Sequence, residues 1–173
     1  MSPRDKAARL RLMAFDVDGV LTDGRLYYSP RGDELKAFST MDGHGLRMLM
    51  ESGITVAIIT GRESAIVAQR AANLGIDRVF QGIKDKRAAM AGLLATEGLT
   101  AEQAGYIGDD VVDLPVLRAC GFSATVGDGH PFVREHVDFV AQGVGGHGGV
   151  RELCEFILDA QGKLQPLLAR YLS

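Results

Sequence analysis

Short apolar runs alternate with segments of helical periodicity along most of the chain. The clearest run, residues 54–59, is continuous and rich in β-branched side chains, as is typical of a buried strand. Residues 63–74 instead repeat apolar positions at helical spacing, and the following Gly75 commonly ends a helix. The same criteria predict further strands at residues 10–15, 78–81, 104–107, 122–126 and 138–140. They predict further helices at residues 46–50, 85–97, 114–119 and 150–160, with a helical turn near 131–136.

This alternation predicts an α/β fold with a doubly wound parallel sheet, because βαβ units join parallel strands through right-handed crossovers. Residues 26–28 and 35–38 depart from the alternation. They flank a turn containing proline and glycine, which predicts a β-hairpin over about residues 25–39, inserted after the first strand. No repeat or linker interrupts the chain. We therefore expect one domain over residues 1–173, ending in an apolar tail at 162–173.

Composition is that of a soluble globular protein, with 46% apolar and 24% charged residues. The net charge of −3 disfavours a nucleic-acid partner, because such proteins usually carry an excess of basic residues. Residues 1–11 are charged, and no apolar run approaches the roughly 20 residues of a membrane-spanning helix. Cys120 and Cys154 are isolated, which favours buried reduced thiols. These features predict a cytoplasmic protein without a membrane partner.

Polar residues follow three of the predicted strands at their carboxyl ends. Asp16 and Asp18 come after the first strand, and Thr60 follows the run at 54–59. The strand at 104–107 is followed by Asp109, Asp110 and Asp113. Ligands of doubly wound sheets bind at this edge, so we expect the three segments to meet there.

A cluster of carboxylates needs a cation, because like charges repel one another. Every candidate ligand is an oxygen atom, which favours Mg²⁺ held by a few carboxylates together with substrate phosphate. Lys86, at the start of a predicted helix, offers a second positive charge, with Lys84 as the alternative. The Thr60 hydroxyl is a candidate donor to phosphate oxygens. One aspartate of a pair two residues apart could attack phosphorus while the other handles the leaving-group proton.

The ordered motifs resemble those of the haloacid dehalogenase-like (HAD) hydrolases over nearly the whole chain. The sequence DVDGVLT at residues 16–22 resembles their first motif, and GDDVVD at 108–113 their fourth. Thr60 and Lys86 stand where the second and third motifs are expected. The resemblance implies Asp16 as nucleophile and Asp18 as general acid/base, with Thr60 and Lys86 holding phosphate. It also implies that Mg²⁺ is bound by Asp16, Asp18 (through its carbonyl) and Asp109, with Asp110 and Asp113 supporting them.

The segments between these motifs are too short for a cap domain. Among capless HAD enzymes, the chain resembles the 3-deoxy-D-manno-octulosonate 8-phosphate phosphatases, which are homotetramers in which a neighbouring subunit covers the site. The similarity extends to the segments at 38–45, 60–62, 81–82, 145–152 and 160–163. It implies a sugar-acid phosphate as substrate and assigns substrate contacts to Gly61, Arg62 and Arg70, because arginine suits carboxylate recognition.

Several alternatives remain open from the sequence alone. His147 stands where an arginine is expected in that family, and related enzymes act on nonulosonate 9-phosphates, although Arg62 favours the octulosonate enzyme. Residues 109–113 also suit the N-terminus of a helix, and Arg70 also suits a helix surface. The apolar tail could pack on its own domain or on a neighbour. A signalling receiver domain is disfavoured, because it would carry its acidic pair and its phosphorylated aspartate in the reverse order.

Overall fold

The computed structural model of the protein describes residues 1–172. Its strands are β1 Leu12–Phe15, β2 Tyr27–Tyr28, β3 Glu34–Leu35, β4 Thr55–Ile59, β5 Arg78–Phe80, β6 Ala104–Ile107, β7 Phe122–Thr125 and β8 Phe139–Val140. Its α-helices are α1 Pro3–Ala7, α2 Thr40–Glu51, α3 Ala65–Leu74, α4 Lys86–Glu97, α5 Leu114–Leu117, α6 Pro131–Arg134, α7 Gly149–Ala160 and α8 Leu164–Ala169. Short 3₁₀ turns lie at Ala101–Gln103 and Val111–Asp113.

Six strands form one parallel sheet in the order β5-β4-β1-β6-β7-β8. Strand β1 lies in the centre, where Phe15 pairs with Ile58 of β4 and Ile107 of β6. The three strands therefore end at the same level, and the residues that follow them are brought together. The doubly wound α/β fold predicted from the sequence is confirmed.

Apolar residues cover both faces of this sheet. Met13 and Phe15 of β1 point into a core formed with α1, α2, α3 and α7, whereas Leu12 and Ala14 point into a second core formed with α4, α5 and α6. All four of these β1 residues are fully buried. A strand buried on both faces is apolar at every position, which explains why the run is continuous rather than alternating.

Strands β2 and β3 form a separate antiparallel hairpin after β1, as predicted. The part of the chain that the structure describes contains no cap domain. Outside the hairpin, the predicted elements are present with ends that differ by at most two residues, with one exception. The helix predicted at 46–50 is α2, which begins at Thr40 because the Ser39 side chain accepts a hydrogen bond from the Asp42 N–H at 3.2 Å.

Helices α1 and α8 were not predicted. The apolar tail, which includes α8, packs against the core of its own chain through Leu164, Leu167 and Leu168. Lys163 Nζ donates to the Ser52 carbonyl at 2.9 Å, and the Tyr171 hydroxyl lies 3.1 Å from His44 Nε2. No helix among residues 1–172 is long and apolar enough to cross a membrane.

A buried carboxylate joins α2 to α7. Asp42 is almost fully buried and accepts hydrogen bonds from the backbone N–H groups of Arg151, at 2.9 Å, and Gly148, at 3.5 Å. Gly148, the residue before α7, has no side chain that could cap this helix. Asp42, which belongs to α2, instead accepts hydrogen bonds from the free N–H groups at the start of α7. Burial raises the pKa of the Asp42 carboxyl, and these hydrogen bonds oppose that effect.

We expect Asp42→Ala to destabilise the protein by about 1–2 kcal/mol, because the N–H groups at the start of α7 lose their acceptor. Asp42→Asn should lose less, since it keeps one acceptor oxygen and removes a buried charge. The free energy of unfolding measured with denaturant checks this, with Asp77→Ala, at a carboxylate that is 85% exposed, as the control. An Asp42→Ala protein as stable as the control would contradict the capping role.

Candidate active site

Three carboxylates meet where β1 and β6 end. Asp16 follows β1, whereas Asp109 and Asp113 follow β6, and one oxygen atom of each lies within 4.8 Å of the others. Asp16 and Asp113 are buried, and Asp109 is half-buried. The parallel register of β1 and β6 produces this convergence, as expected from the sequence.

Lys86 lies between two of these carboxylates. As the first residue of α4, it extends its Nζ to within 2.9 Å of Asp16 Oδ2 and 2.6 Å of Asp113 Oδ1. Burial alone would lower the pKa of Lys86, but the charges of Asp16 and Asp113 outweigh it and raise that pKa above its usual value. The alternative, Lys84, is exposed at the side of the same cleft, so Lys86 is the lysine that contacts the acidic cluster.

The cluster still holds an excess of negative charge. Burial and the charge of Asp113 raise the pKa of Asp16 to about 6, although Lys86 opposes both. Burial and the neighbouring charges of Asp16 and Asp113 raise the pKa of Asp109 to about 7. Burial and mutual repulsion thus both disfavour the ionised carboxylates, and a hard divalent cation would offset these two effects.

Asp113 lies deeper than the other two carboxylates and does not line the cleft above them. Its Oδ1 accepts from Lys86 and, at 3.4 Å, from the buried Tyr106 hydroxyl, while its Oδ2 accepts from the Asp109 N–H at 3.2 Å. Asp16 also has both oxygens in contact with the chain, through the Val17 N–H and Lys86, but Asp16 and Asp109 face the cleft. Those two carboxylates are therefore accessible to a cation in the cleft, whereas Asp113 contacts Lys86 from below.

Gly19, in the DVDG segment, allows Asp109 to approach the loop after β1. Its φ is +87°, and a Cβ atom there would lie 2.0 Å from Asp109 Oδ2. A side chain at this position would therefore displace one of the candidate metal ligands.

A cleft of about 320 Å³ lies above the cluster. It is lined by Asp16, Asp18, Thr60, Gly61, Arg62, Ile83, Lys84, Lys86, Asp109, Asp110 and Val112. Thr60 is held at the end of β4, where its N–H donates to the Phe80 carbonyl at 2.9 Å and its carbonyl accepts from the Ile83 N–H at 3.0 Å. Asp110 lies at the exposed edge and accepts from the Val111 N–H at 2.7 Å, so it also begins the turn that leads to α5.

Asp18 is not part of the three-carboxylate cluster and has different partners. Lys36 Nζ donates to Asp18 Oδ1 at 2.5 Å, and Arg62 Nε lies 3.7 Å from Asp18 Oδ2. Both cations also contact Glu34, and Arg62 Nη2 donates to the Tyr28 hydroxyl at 2.8 Å. The hairpin thus extends to the edge of the site through Tyr28, Glu34 and Lys36.

Glu34 and Lys36 are not among the site residues predicted from the sequence. Alternation along β3 could have indicated them, because positions 34 and 36 share the face opposite Leu35, which is exposed. A polar face on a hairpin that follows an acidic loop is a candidate for contact with that loop.

Two other residues considered from the sequence lie outside the cleft. Arg70, on α3, donates to the Ser39 carbonyl at 3.1 Å and lies over the Phe38 ring. Its guanidinium occupies the space beside Gly43, where a Cβ would come within 2.3 Å of Nη2. His147 lines a separate cavity of about 480 Å³ near the start of α2. Neither residue contacts the acidic cluster.

No family model matches the sequence. The chain is 46% identical over 159 residues to the 3-deoxy-D-manno-octulosonate 8-phosphate phosphatase KdsC of Escherichia coli strain K12. The alignment covers 92% of this chain and 85% of that enzyme.

Solved structures agree with this similarity. The phosphatase of the same name from Moraxella catarrhalis, in complex with magnesium ion, phosphate ion and KDO, superposes with a TM-score of 0.95 at 44% identity, covering 98% of this chain and 97% of that one. A HAD superfamily (subfamily III A) hydrolase from Legionella pneumophila superposes with a TM-score of 0.93 at 43% identity, covering 98% and 93%. The chain therefore belongs to the 3-deoxy-D-manno-octulosonate 8-phosphate phosphatase family of the HAD superfamily of hydrolases.

Proposed function

We propose that this phosphatase converts 3-deoxy-D-manno-octulosonate (KDO) 8-phosphate to KDO and phosphate through an aspartyl-phosphate intermediate on Asp16, with Mg²⁺ as cofactor. The observation that carries the proposal is the position of Lys86 between Asp16 and Asp113, beside Asp109, at the base of an open cleft. The relative from Moraxella catarrhalis, crystallised with magnesium, phosphate and KDO, supports the ligands.

The donor set fits the ion. Asp16 and Asp109 offer carboxylate oxygens, and the Asp18 carbonyl is the third protein ligand that we propose. Bound there, Mg²⁺ would neutralise charge on the phosphate and on Asp16. Lys86 and the Thr60 hydroxyl would hold the remaining phosphate oxygens, and Asp113 would keep Lys86 in place.

Asp16 would attack phosphorus opposite the leaving oxygen. As the bond from phosphorus to that oxygen breaks, Asp18 gives it a proton and becomes a carboxylate. Asp18 then removes a proton from the water that attacks the aspartyl phosphate, which releases phosphate and restores the Asp16 carboxylate. Each turnover therefore consumes one water molecule and returns both aspartates to their initial states.

For the sugar acid we propose contacts from Gly61 and Arg62, which line the cleft. The Arg62 side chain is 44% exposed, so its guanidinium can approach a substrate carboxylate. Arg70 is the weaker candidate, since its partners are Ser39 and Phe38. Phosphatase activity on a nonulosonate 9-phosphate is the alternative, because both substrate classes present a carboxylate and a terminal phosphate.

We also propose that residues 1–173 form one HAD-like domain and that the protein is a cytoplasmic homotetramer. One sheet shared by both cores supports the single domain. Free thiols at Cys120 and Cys154 accord with a reducing compartment. The exposed apolar side chains of Tyr27, Tyr28 and Leu35 on the hairpin support an interface there.

We expect Mg²⁺-dependent release of phosphate that is fastest with KDO 8-phosphate in a panel that includes nonulosonate 9-phosphates. Excess chelator should abolish the activity, and added Mg²⁺ should restore it. A phosphate-release assay measures each rate. Full activity in chelator would contradict the metal assignment, whereas a preference for a nonulosonate 9-phosphate would establish the alternative substrate.

Asp16→Asn should lower kcat by about 10³-fold or more, because the amide cannot attack phosphorus. Asp77→Asn, at an exposed carboxylate that does not line the cleft, should keep the wild-type rate. The same assay and a thermal unfolding measurement distinguish lost chemistry from lost folding. A folded Asp16→Asn protein that retains near-wild-type turnover would remove the nucleophile assignment.

Light scattering at micromolar concentration should give the mass of a homotetramer. Leu35→Glu, which puts a charge into the exposed apolar face of the hairpin, should shift the protein towards smaller species. Phe132→Glu alters an exposed apolar residue on α6 and should leave the mass unchanged. A monomeric wild-type protein would contradict the proposed assembly.

A further inference from the structure

Asp18 lies in a closed ring of charged side chains. Its Oδ1 is 2.5 Å from Lys36 Nζ, and its Oδ2 is 3.7 Å from Arg62 Nε. Glu34 Oε1 completes the ring, 3.3 Å from Lys36 Nζ and 3.2 Å from Arg62 Nη2. With both carboxylates ionised, the ring is neutral. Only Oδ1 of Asp18 is hydrogen-bonded to a cation, because the distance from Oδ2 to Arg62 exceeds that of a hydrogen bond, so Oδ2 is the oxygen that can carry a proton.

Lys36 differs from an ordinary surface lysine. Its side chain is only 1% exposed, although it lies on a hairpin whose apolar residues are largely exposed. Burying an ammonium group is costly unless charged partners are held close to it, and here Asp18 and Glu34 provide them. A buried pair with fixed geometry restricts the rotamer of both partners, so Lys36 limits the directions in which the Asp18 carboxylate can point.

The direction matters because Asp16 and Asp18 require different positions. Asp16 must face phosphorus, and it lies with Asp109 and Asp113 in the three-carboxylate cluster. Asp18 must instead reach the leaving oxygen, outside that cluster. Without a partner on the hairpin side, its carboxylate could rotate away from the leaving group.

We propose that Lys36 is a positioning residue: by donating to Oδ1 it orients the Asp18 carboxyl group so that a proton on Oδ2 can pass to the leaving group, with Glu34 fixing Lys36. This inference rests on the proposed function. It assigns to the hairpin a part in the chemical step within its own subunit. Lys36 acts only through Asp18, so its removal should affect the steps in which Asp18 moves a proton.

Two phosphate esters separate this role from a general structural one. The alkyl ester KDO 8-phosphate has an alkoxide leaving group, which needs the proton from Asp18. The aryl ester p-nitrophenyl phosphate releases a stabilised phenolate, which departs without that proton. Both esters use the same phosphate contacts at Thr60 and Lys86, so damage to those contacts would slow both.

Lys36→Met keeps the length of the side chain and removes its charge. We expect kcat on KDO 8-phosphate to fall roughly tenfold to hundredfold, because a displaced acid is an inefficient one, with KM little changed. Single-turnover formation of the phosphoenzyme from p-nitrophenyl phosphate should change by less than about threefold, since this step needs no acid. Lys36→Arg should recover part of the lost rate on the alkyl ester.

Lys6→Met is the matched control, because Lys6 forms a 2.6 Å ion pair with Asp138 remote from the cleft, and its rates should equal those of the wild type. If Lys36→Met does not fold, Glu34→Gln supplies the test, with a smaller loss confined to the alkyl ester. Equal losses on both esters, or no loss on either, would overturn the inference while leaving the proposed function intact. A wild-type protein that hydrolyses neither ester with Mg²⁺ would overturn both.

Discussion

The arrangement of the site depends on the ion pairs that Lys86 forms with Asp16 and Asp113. Parallel strands that end at one level bring the carboxylates after β1 and β6 together, and without positive charge they would repel one another. Lys86 is the first residue of α4, so the position of this helix against the sheet determines whether its ammonium group can contact the carboxylates. Removing one member of such a buried set leaves the others uncompensated, which is why sheet, helix and site form one structural unit.

The two aspartates of the DVD segment illustrate how neighbouring positions acquire different environments. Asp16 is buried against the sheet and takes its positive charge from Lys86 in the core. Asp18 is partly exposed, and its positively charged neighbours are Lys36 and Arg62 at the edge of the cleft. A nucleophile benefits from a fixed, dry position, whereas an acid/base must reach both the leaving group and water. The two environments therefore suit the two roles we propose.

Much of this could be predicted from the sequence, because the residues involved follow a local rule. Asp16, Thr60 and Asp109 each follow an apolar run, and such runs are apolar wherever a parallel strand is buried on both faces. The contacts of Asp18 followed no such rule. They join the loop after β1, the hairpin and the loop after β4. Alternation along β3 indicates which residues share a face, but it does not indicate which loops that face contacts. The predicted start of α2 was too late, because Gly43 and Gly45 weaken a helical pattern in the sequence. The fold needs glycine at both positions, since Arg70 and Arg151 pack closely against them.

Without a cap domain, few residues are available to surround the leaving group of the substrate. The hairpin is the element that lies on that side of the cleft, beside Asp18. Its outer face is apolar and exposed at Tyr27 and Leu35, while Glu34 and Lys36 connect it to Asp18. Strands of two residues hold a hairpin weakly by their own hydrogen bonds, so side-chain contacts must fix its position. The charged ring provides such contacts on one face, and a neighbouring subunit in the proposed tetramer would provide them on the other. In that tetramer, a shift of the hairpin would be transmitted to Asp18 through Lys36 and would couple assembly to the proton transfer that we propose.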